Sequence, residues 1–170
     1  MSNRIIQNAY YVSNLDLAIT HFHNLWGLGP FLVRRHIDLE NVVYRGEPAE
    51  LDISAAYTQA GDIMIELVTQ HNDAPSTFRD RYRATESGFH HVALDFGDHD
   101  KQVRHFNDLG CESVTSFRTA EGRGATYLDT LALIGHATEI YIVNDSLLEL
   151  YSNVKHAAEN WDGKHLTIDL

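Results

Sequence analysis

Two stretches of this chain repeat one pattern: QNAYYVSNLDLAITHFHNLWG from Gln7 to Gly27, and HVALDFGDHDKQVRHFNDLGC from His91 to Cys111. Each runs as an apolar strand, an acidic turn, an amphipathic helix and a glycine. A shift of 84 positions lays Gln7 on His91, Val12 on Phe96, Asp16 on Asp100, Phe22 on Phe106 and Leu25 on Leu109. Self-similarity at one fixed spacing is the mark of a duplicated unit. Asn14 suits the N-cap of the first helix, with Leu15, Ile19, Phe22 and Trp26 on one face and Gly27 and Gly29 ending it.

Working outward, β-rich apolar runs follow each helix: Phe31 to Ile37, Leu51 to Thr58 and Ile63 to Thr69, then Ser113 to Phe117, Gly124 to Asp129 and Thr138 to Val143. Each half therefore reads β-α-β-β-β. A short helix near Pro75 to Tyr82 is expected to join them, with Pro75 as its first residue and Asn72 or Asp73 near the cap. The tail from Asp145 to Asn160 is predicted helical, with Leu147, Leu148, Leu150, Tyr151, Val154 and Ala158 as its buried stripe. The predicted fold class is α+β, a single domain over residues 1–170. It comprises one module at 4–70, a linker helix within 72–86, a second module at 88–143 and a helical tail at 145–170. Two halves too small for good separate cores gain most by joining into one curved mixed sheet, with helices outside and a concave pocket inside.

Composition agrees with such a domain and narrows its partners. The chain has 170 residues, 44% hydrophobic and 22% charged, close to the average soluble globular protein. Thirteen Lys and Arg against twenty-four Asp and Glu leave −11 at pH 7, with no basic run to track phosphates, so nucleic acid and anionic membrane are unsuited partners. The first fifteen residues lack the apolar core of a secretory leader, and no apolar run reaches the length of a membrane helix. The single cysteine, Cys111, excludes an intrachain disulfide and a thiolate metal cluster. A cytoplasmic protein is expected, and any metal must be held by His, carboxylate or amide.

Four strands each carry one polar candidate: Gln7 in IIQNAYYV, Glu66 in IMIELV, His91 in FHHVALDF and Glu139 in ATEIYIV. A carboxylate at Glu66, in a strand expected to be central, costs several kcal/mol unless it meets a cation or several donors. Glu139 follows Gly135 much as Glu66 follows Gly61, so the repeat supplies such groups in pairs. Taken singly, Gln7 suits a sheet-edge hydrogen bond, His91 a satisfied core histidine and Glu66 an arginine pair. Alternation puts His90 on the face opposite His91, in a structural or solvent-facing role. Arg34, Arg35, Tyr44, Arg45 and Arg123 read as solvated charge and polarity before they read as substrate anchors.

The motifs YYVSNLDLAITHF, GDIMIELV, GFHHVALDF, YLDT at Tyr127 to Thr130 and GHATEI resemble those of the vicinal oxygen chelate superfamily, the glyoxalase and bleomycin-resistance fold, over about residues 4 to 143. The resemblance implies a divalent metal in the cup, held by Gln7, Glu66, His91 and Glu139. Their order is similar to the ligand set of zinc-type glyoxalase I. Zn²⁺ is the expected ion, with Ni²⁺, Co²⁺ or Mn²⁺ as alternatives. It further implies a homodimer, a small-molecule substrate, and Glu139 as proton shuttle with Glu66 as its symmetric catalytic partner. Substrate contacts are expected from His71 and Asn72 at the cavity mouth and from Tyr57, Tyr127 and Tyr141, with Tyr10 and Phe89 as further aromatic lining; His136 is expected to orient a ligand from behind. The implied activity is a metal-dependent isomerase, epimerase or lyase that removes a proton beside a polarised carbonyl. A sequestering protein of the same fold is the alternative, and a ring-cleaving dioxygenase a third, disfavoured because Gln7 offers an amide oxygen where the iron triad needs a second imidazole.

Overall fold

The computed structural model describes residues 4–170; Met1–Asn3, part of the stretch read above for a leader, lie outside it. The first half comprises β1 (Ile5–Tyr11), α1 (Leu15–Trp26), β2 (Phe31–Arg34), β3 (Leu39–Tyr44), β4 (Glu47–Pro48), β5 (Ile53–Ala60) and β6 (Ile63–Gln70). After α2 (Thr77–Arg81) the second half runs β7 (Gly88–Leu94), α3 (His99–Asp108), β8 (Ser113–Thr119), β9 (Gly124–Leu128), α4 (Leu131–Ile134) and β10 (Ala137–Ile142). The tail is α5 (Asp145–Glu159) and β11 (Thr167–Asp169). The repeat is visible in the elements, since α1 and α3 begin 84 positions apart.

Local chemistry sets the helix ends. The Asn14 side chain accepts from the Leu17 amide at 2.9 Å, and Gly27, at φ 70°, closes α1 in the left-handed conformation that glycine adopts without penalty. Leu15 and Ile19 are buried as expected, whereas Trp26 is 56% exposed and meets only the edges of Tyr10 and Phe22 among the described aromatic rings. The joining helix is shorter than predicted. Ser76, whose Oγ accepts from the Phe78 and Arg79 amides, caps it in place of Asn72 or Asp73, and Pro75 lies before the helix.

All strands among the described residues form one sheet in the order β11-β2-β5-β6-β1-β7-β10-β9-β8-β3-β4. The halves meet where β1 and β7 pair antiparallel, and each first strand runs parallel to the last strand of its own module, β1 beside β6 and β7 beside β10. The cup is thus complete within one chain. The hairpin β3–β4, absent from the sequence reading, leaves the first half and pairs its β3 with β8 of the second. Residues 35–38 alone connect β2 near one border to β3 near the other, so four residues bring the two borders close and the sheet must curl strongly.

On the convex side α1 packs Leu15 and Ile19 against Val33, Ala56, Ile65 and Leu67. The tail departs from the expected arrangement of helices outside. Helix α5 lies on the concave side, where Leu150 and Val154 pack against Leu32, Ala55, Tyr57 and Met64. Its stripe is narrower than predicted, with Leu148 43% exposed. After α5 the chain returns as β11 parallel to β2, so the tail is not helical throughout. Among the described residues no helix is long and apolar enough to cross a membrane.

Candidate functional site

Strand register brings the polar candidates onto one face. Across the sheet, Tyr57 lies opposite Glu66, Glu66 opposite Ala9, Ala9 opposite His91 and His91 opposite Ala137. In the next row Met64 is followed by Gln7, Ala93, Glu139 and Tyr127. Residues directly opposite share a face, so all of these project into the cup. Glu66 and His91 are separated by the methyl group of Ala9, and Gln7 and Glu139 by that of Ala93. The two alanines leave the centre open, and both are fully buried.

Glu66, His91 and Glu139 converge there, each with one ligand-type atom within 4.8 Å of the others. His91 Nε2 is 3.3 Å from Glu66 Oε2 and 3.1 Å from Glu139 Oε2, with all three side chains buried. Burial alone pushes the His91 imidazole down, but Glu139 and then Glu66 outweigh it and raise it to about 9. Burial raises the Glu66 carboxyl, with His91 opposing. Gln7 makes its hydrogen bonds elsewhere: its Oε1 accepts from Tyr141 and, at 3.3 Å, from Tyr151. Its Nε2 is buried and finds no partner among the described residues. Exchanging amide N and O, which look alike to the fold, lets Nε2 donate to the tyrosine oxygens and leaves a bare carbonyl oxygen instead, the atom a cation would use.

His90 is placed differently from the sequence reading. The pairing of β1 with β7 is irregular between Ala9 and Tyr10, where His90 is the extra residue of a bulge. A bulge re-aims side chains, so His90 turns to the same side as its neighbour, 1% exposed among Phe78, Tyr82 and Tyr127. Its Nε2 lies 3.0 Å from the Thr77 carbonyl and its Nδ1 2.9 Å from His91 Nδ1. A carbonyl only accepts, so His90 Nε2 carries the proton. Burial and then the His91 charge hold His90 well below the ordinary imidazole range, hence neutral. Its bare Nδ1 therefore accepts from His91 Nδ1–H. Neutral His91 must then present an unprotonated Nε2 to two carboxylates, an arrangement of three electron-rich groups that needs a proton or a metal ion between them. The donor set accordingly fits a divalent cation: two carboxylates, one imidazole with its lone pair aimed inward, and an amide beside them.

The other candidates separate into two groups. Tyr57, Tyr127 and Tyr141 line the cavity with Glu66 and Glu139, and burial, with both carboxylates nearby, raises each phenol well above its ordinary range. The cavity holds about 60 Å³ and is walled on one side by Leu147, Leu150 and Tyr151 of α5. His71 and Asn72 do not reach it. His71 Nε2 is 2.7 Å from Ser54 Oγ with its ring stacked on His36, and the Asn72 side chain accepts from Gln70. His136 contacts the Ala137 carbonyl and the Phe89 ring instead of a candidate ligand. Tyr10 packs edge-on against Phe22, Trp26 and Phe89 on the α1 side of the sheet, away from the cavity. Sequence reasoning missed His90 and Tyr151; the adjacent HH pair was the one available signal.

A family model described as "Glyoxalase/Bleomycin resistance protein/Dioxygenase superfamily" matches residues 6–127. No curated protein sequence matches the chain. Among solved structures, a hypothetical protein from Bacillus halodurans C-125 is similar at TM-score 0.58 and 16% identity, covering 85% of this chain and 97% of the other. A methylmalonyl-CoA epimerase solved with methylmalonyl-CoA and NH4+ gives 0.54 and 17%, covering 82% and 93%. The epimerase from Mycobacterium tuberculosis gives 0.53 and 18%, covering 85% and 91%. These likenesses establish the fold.

Proposed function

Since the chain belongs to the glyoxalase/bleomycin resistance protein/dioxygenase superfamily, we propose that it is a divalent-metal-dependent isomerase, epimerase or lyase acting on a small organic substrate with a carbonyl or neighbouring oxygens. The observation that carries this reading is the approach of His91 Nε2 to Glu66 and Glu139 at 3.3 and 3.1 Å on the concave face of the sheet. Glu66, His91 and Glu139, with the Gln7 amide, would hold the ion, of which Zn²⁺ suits the set best. When bound, such an ion acts as a Lewis acid that polarises the substrate carbonyl.

The chain's own groups do the rest. Glu139, facing the open centre, takes the proton from the carbon beside the carbonyl and returns it to the same or the neighbouring carbon; Glu66 serves the opposite face. Tyr127 beside Glu139 and Tyr57 beside Glu66 remain protonated, so they act as hydrogen-bond donors that orient those carboxylates. Leu147, Leu150 and Tyr151 wall one side of the cavity and limit which substrates reach the carboxylates, while the abstracted proton stays exchangeable with solvent. A homodimer, implied by the family resemblance, and a cytoplasmic location, expected from composition, form part of the proposal.

Calorimetry with Zn²⁺, together with proton-NMR detection of deuterium entering a panel of small 2-hydroxy and 2-oxo carbonyl compounds, tests it. One ion per chain is expected, with deuterium entry lost in Glu139→Gln. A protein that takes up no divalent ion overturns the reading. An ion bound with no deuterium entry favours the sequestering alternative, and oxygen uptake with catechols after anaerobic iron loading favours the dioxygenase.

A further inference from the structure

The cavity has a second polar end that the proton chemistry does not use. Arg34, at the end of β2, and Arg123, just before β9, both line it. Neither is the solvated charge that the sequence suggested, since their side chains are only 17% and 11% exposed. Glu121, in the turn between β8 and β9, meets both. Arg34 Nη2 donates to its Oε1 at 2.9 Å, and Arg123 Nη2 lies 3.3 Å from its Oε2. Glu121 lies between the two guanidinium groups with its side chain 45% exposed, so it stays ionised and offsets one arginine of the two. At this end of the cavity, apart from Glu66 and Glu139 at the other end, one positive charge is left over, walled by Ile37, Leu39 and Phe117, in a protein of net charge −11.

Arg123 is the unsatisfied member. Its Nε is buried and finds no hydrogen-bond partner among the described residues. A buried guanidinium N–H without an acceptor is costly, and at a cavity wall the acceptor can come from a bound ligand or water. The Nε and Nη2 edge of a guanidinium forms the planar fork that matches the two oxygens of a carboxylate. Excess charge of +1 balances a monoanion, whereas a phosphate dianion would leave a buried negative charge.

We propose that Arg34 and Arg123 form the anion-binding end of the cavity and that the substrate is a small monocarboxylic acid. Its carboxylate meets the Arg123 Nε edge, its apolar or aromatic middle lies against Tyr57, Phe117 and Tyr141, and its oxygenated end reaches Glu66, His91 and Glu139. The orientation of the substrate rests on the function proposed above; the carboxylate subsite does not.

The test uses the full-length protein with metal removed by a chelator, so that no carboxylate binds through an ion. Benzoate and its neutral isostere benzamide are titrated by calorimetry and by NMR of the arginine Nε–H groups. Benzoate is expected to bind at least tenfold more tightly than benzamide and to shift the Arg123 Nε–H signal, and Arg123→Gln to weaken benzoate at least tenfold with benzamide unchanged. Absent benzoate binding, equal binding of the pair, or undiminished benzoate binding by Arg123→Gln overturns the inference. Should Arg123→Gln fail to fold, Glu121→Gln decides. Loss of the competing carboxylate is expected to tighten benzoate several-fold, and unchanged or weaker binding overturns the subsite. A protein that binds benzoate but no Zn²⁺ keeps this inference while losing the metal enzyme; the reverse result keeps the enzyme and loses the subsite.

Discussion

Ala9 and Ala93 each place a single methyl group between two polar side chains, and the open centre of the cup depends on that economy. Ala9→Leu is expected to fill the space between Glu66 and His91 and to reduce Zn²⁺ affinity at least tenfold in calorimetry, with the fold kept as judged by circular dichroism. His90 acts through its neighbour. Replacing it with Phe removes the acceptor that fixes His91 Nδ1–H, and loss of such a partner typically costs about 10–100-fold in metal affinity. In metal-free protein above about pH 9, where His91 is neutral, nitrogen NMR of the imidazoles is expected to show it as a mixture of tautomers in that variant, a change that altered packing alone would not produce. The His91 charge also makes the metal-free protein pH-sensitive. Its folded imidazole is raised to about 9 against about 6.5 unfolded. The stabilisation is therefore fully present below about pH 6.5 and lost as pH rises through about 9. Urea midpoints of chelator-treated protein should fall across that window, and Zn²⁺ affinity should rise across it because the ion displaces the proton.

At the scale of elements, the helix caps, the repeat and the ligand-bearing strands were legible because each rests on local chemistry. Asn14 accepts from an amide three residues on, Gly27 takes φ 70°, and Glu66 and Glu139 fall two positions beyond the partners of Gln7 and His91. His90 was misread because strict alternation fails at a bulge, which depends on how β1 pairs. The β3–β4 hairpin and β11 were missed because their stability lies in distant edges, β8 and β2, that no local pattern names. The side on which α5 packs was equally invisible, because an amphipathic stripe shows which face is buried and not against what. That stripe now gives a stability expectation. Leu150→Ala removes a contact with Tyr57 and Met64 on the cavity wall, so a loss of about 2–3 kcal/mol is expected from chemical denaturation.

For the molecule as a whole, Gln7 and Glu66 come from one half and His91 and Glu139 from the other, all within a single chain. Zn²⁺ stoichiometry is thus expected to stay at one per chain after dilution to a monomer, read by sedimentation with metal absorbance; loss of the ion on dissociation would require a ligand from a second copy. Arg34 and Glu121 join the two borders of the sheet from β2 and the β8–β9 turn, which ties closure of the cup to the charge at its anionic-ligand end.

The crossing hairpin has a consequence for assembly. Because β3 of the first half covers the border strand β8 of the second, a fragment beginning at the linker would expose a bare row of amides and carbonyls, the kind of template on which chains aggregate. The duplicated halves, though they repeat one pattern, are not autonomous: during synthesis the β3–β4 hairpin must wait, with the β8-facing edge of β3 unpaired, until some seventy further residues have emerged, so that edge is exposed to premature pairing and is a place where a chaperone would be useful.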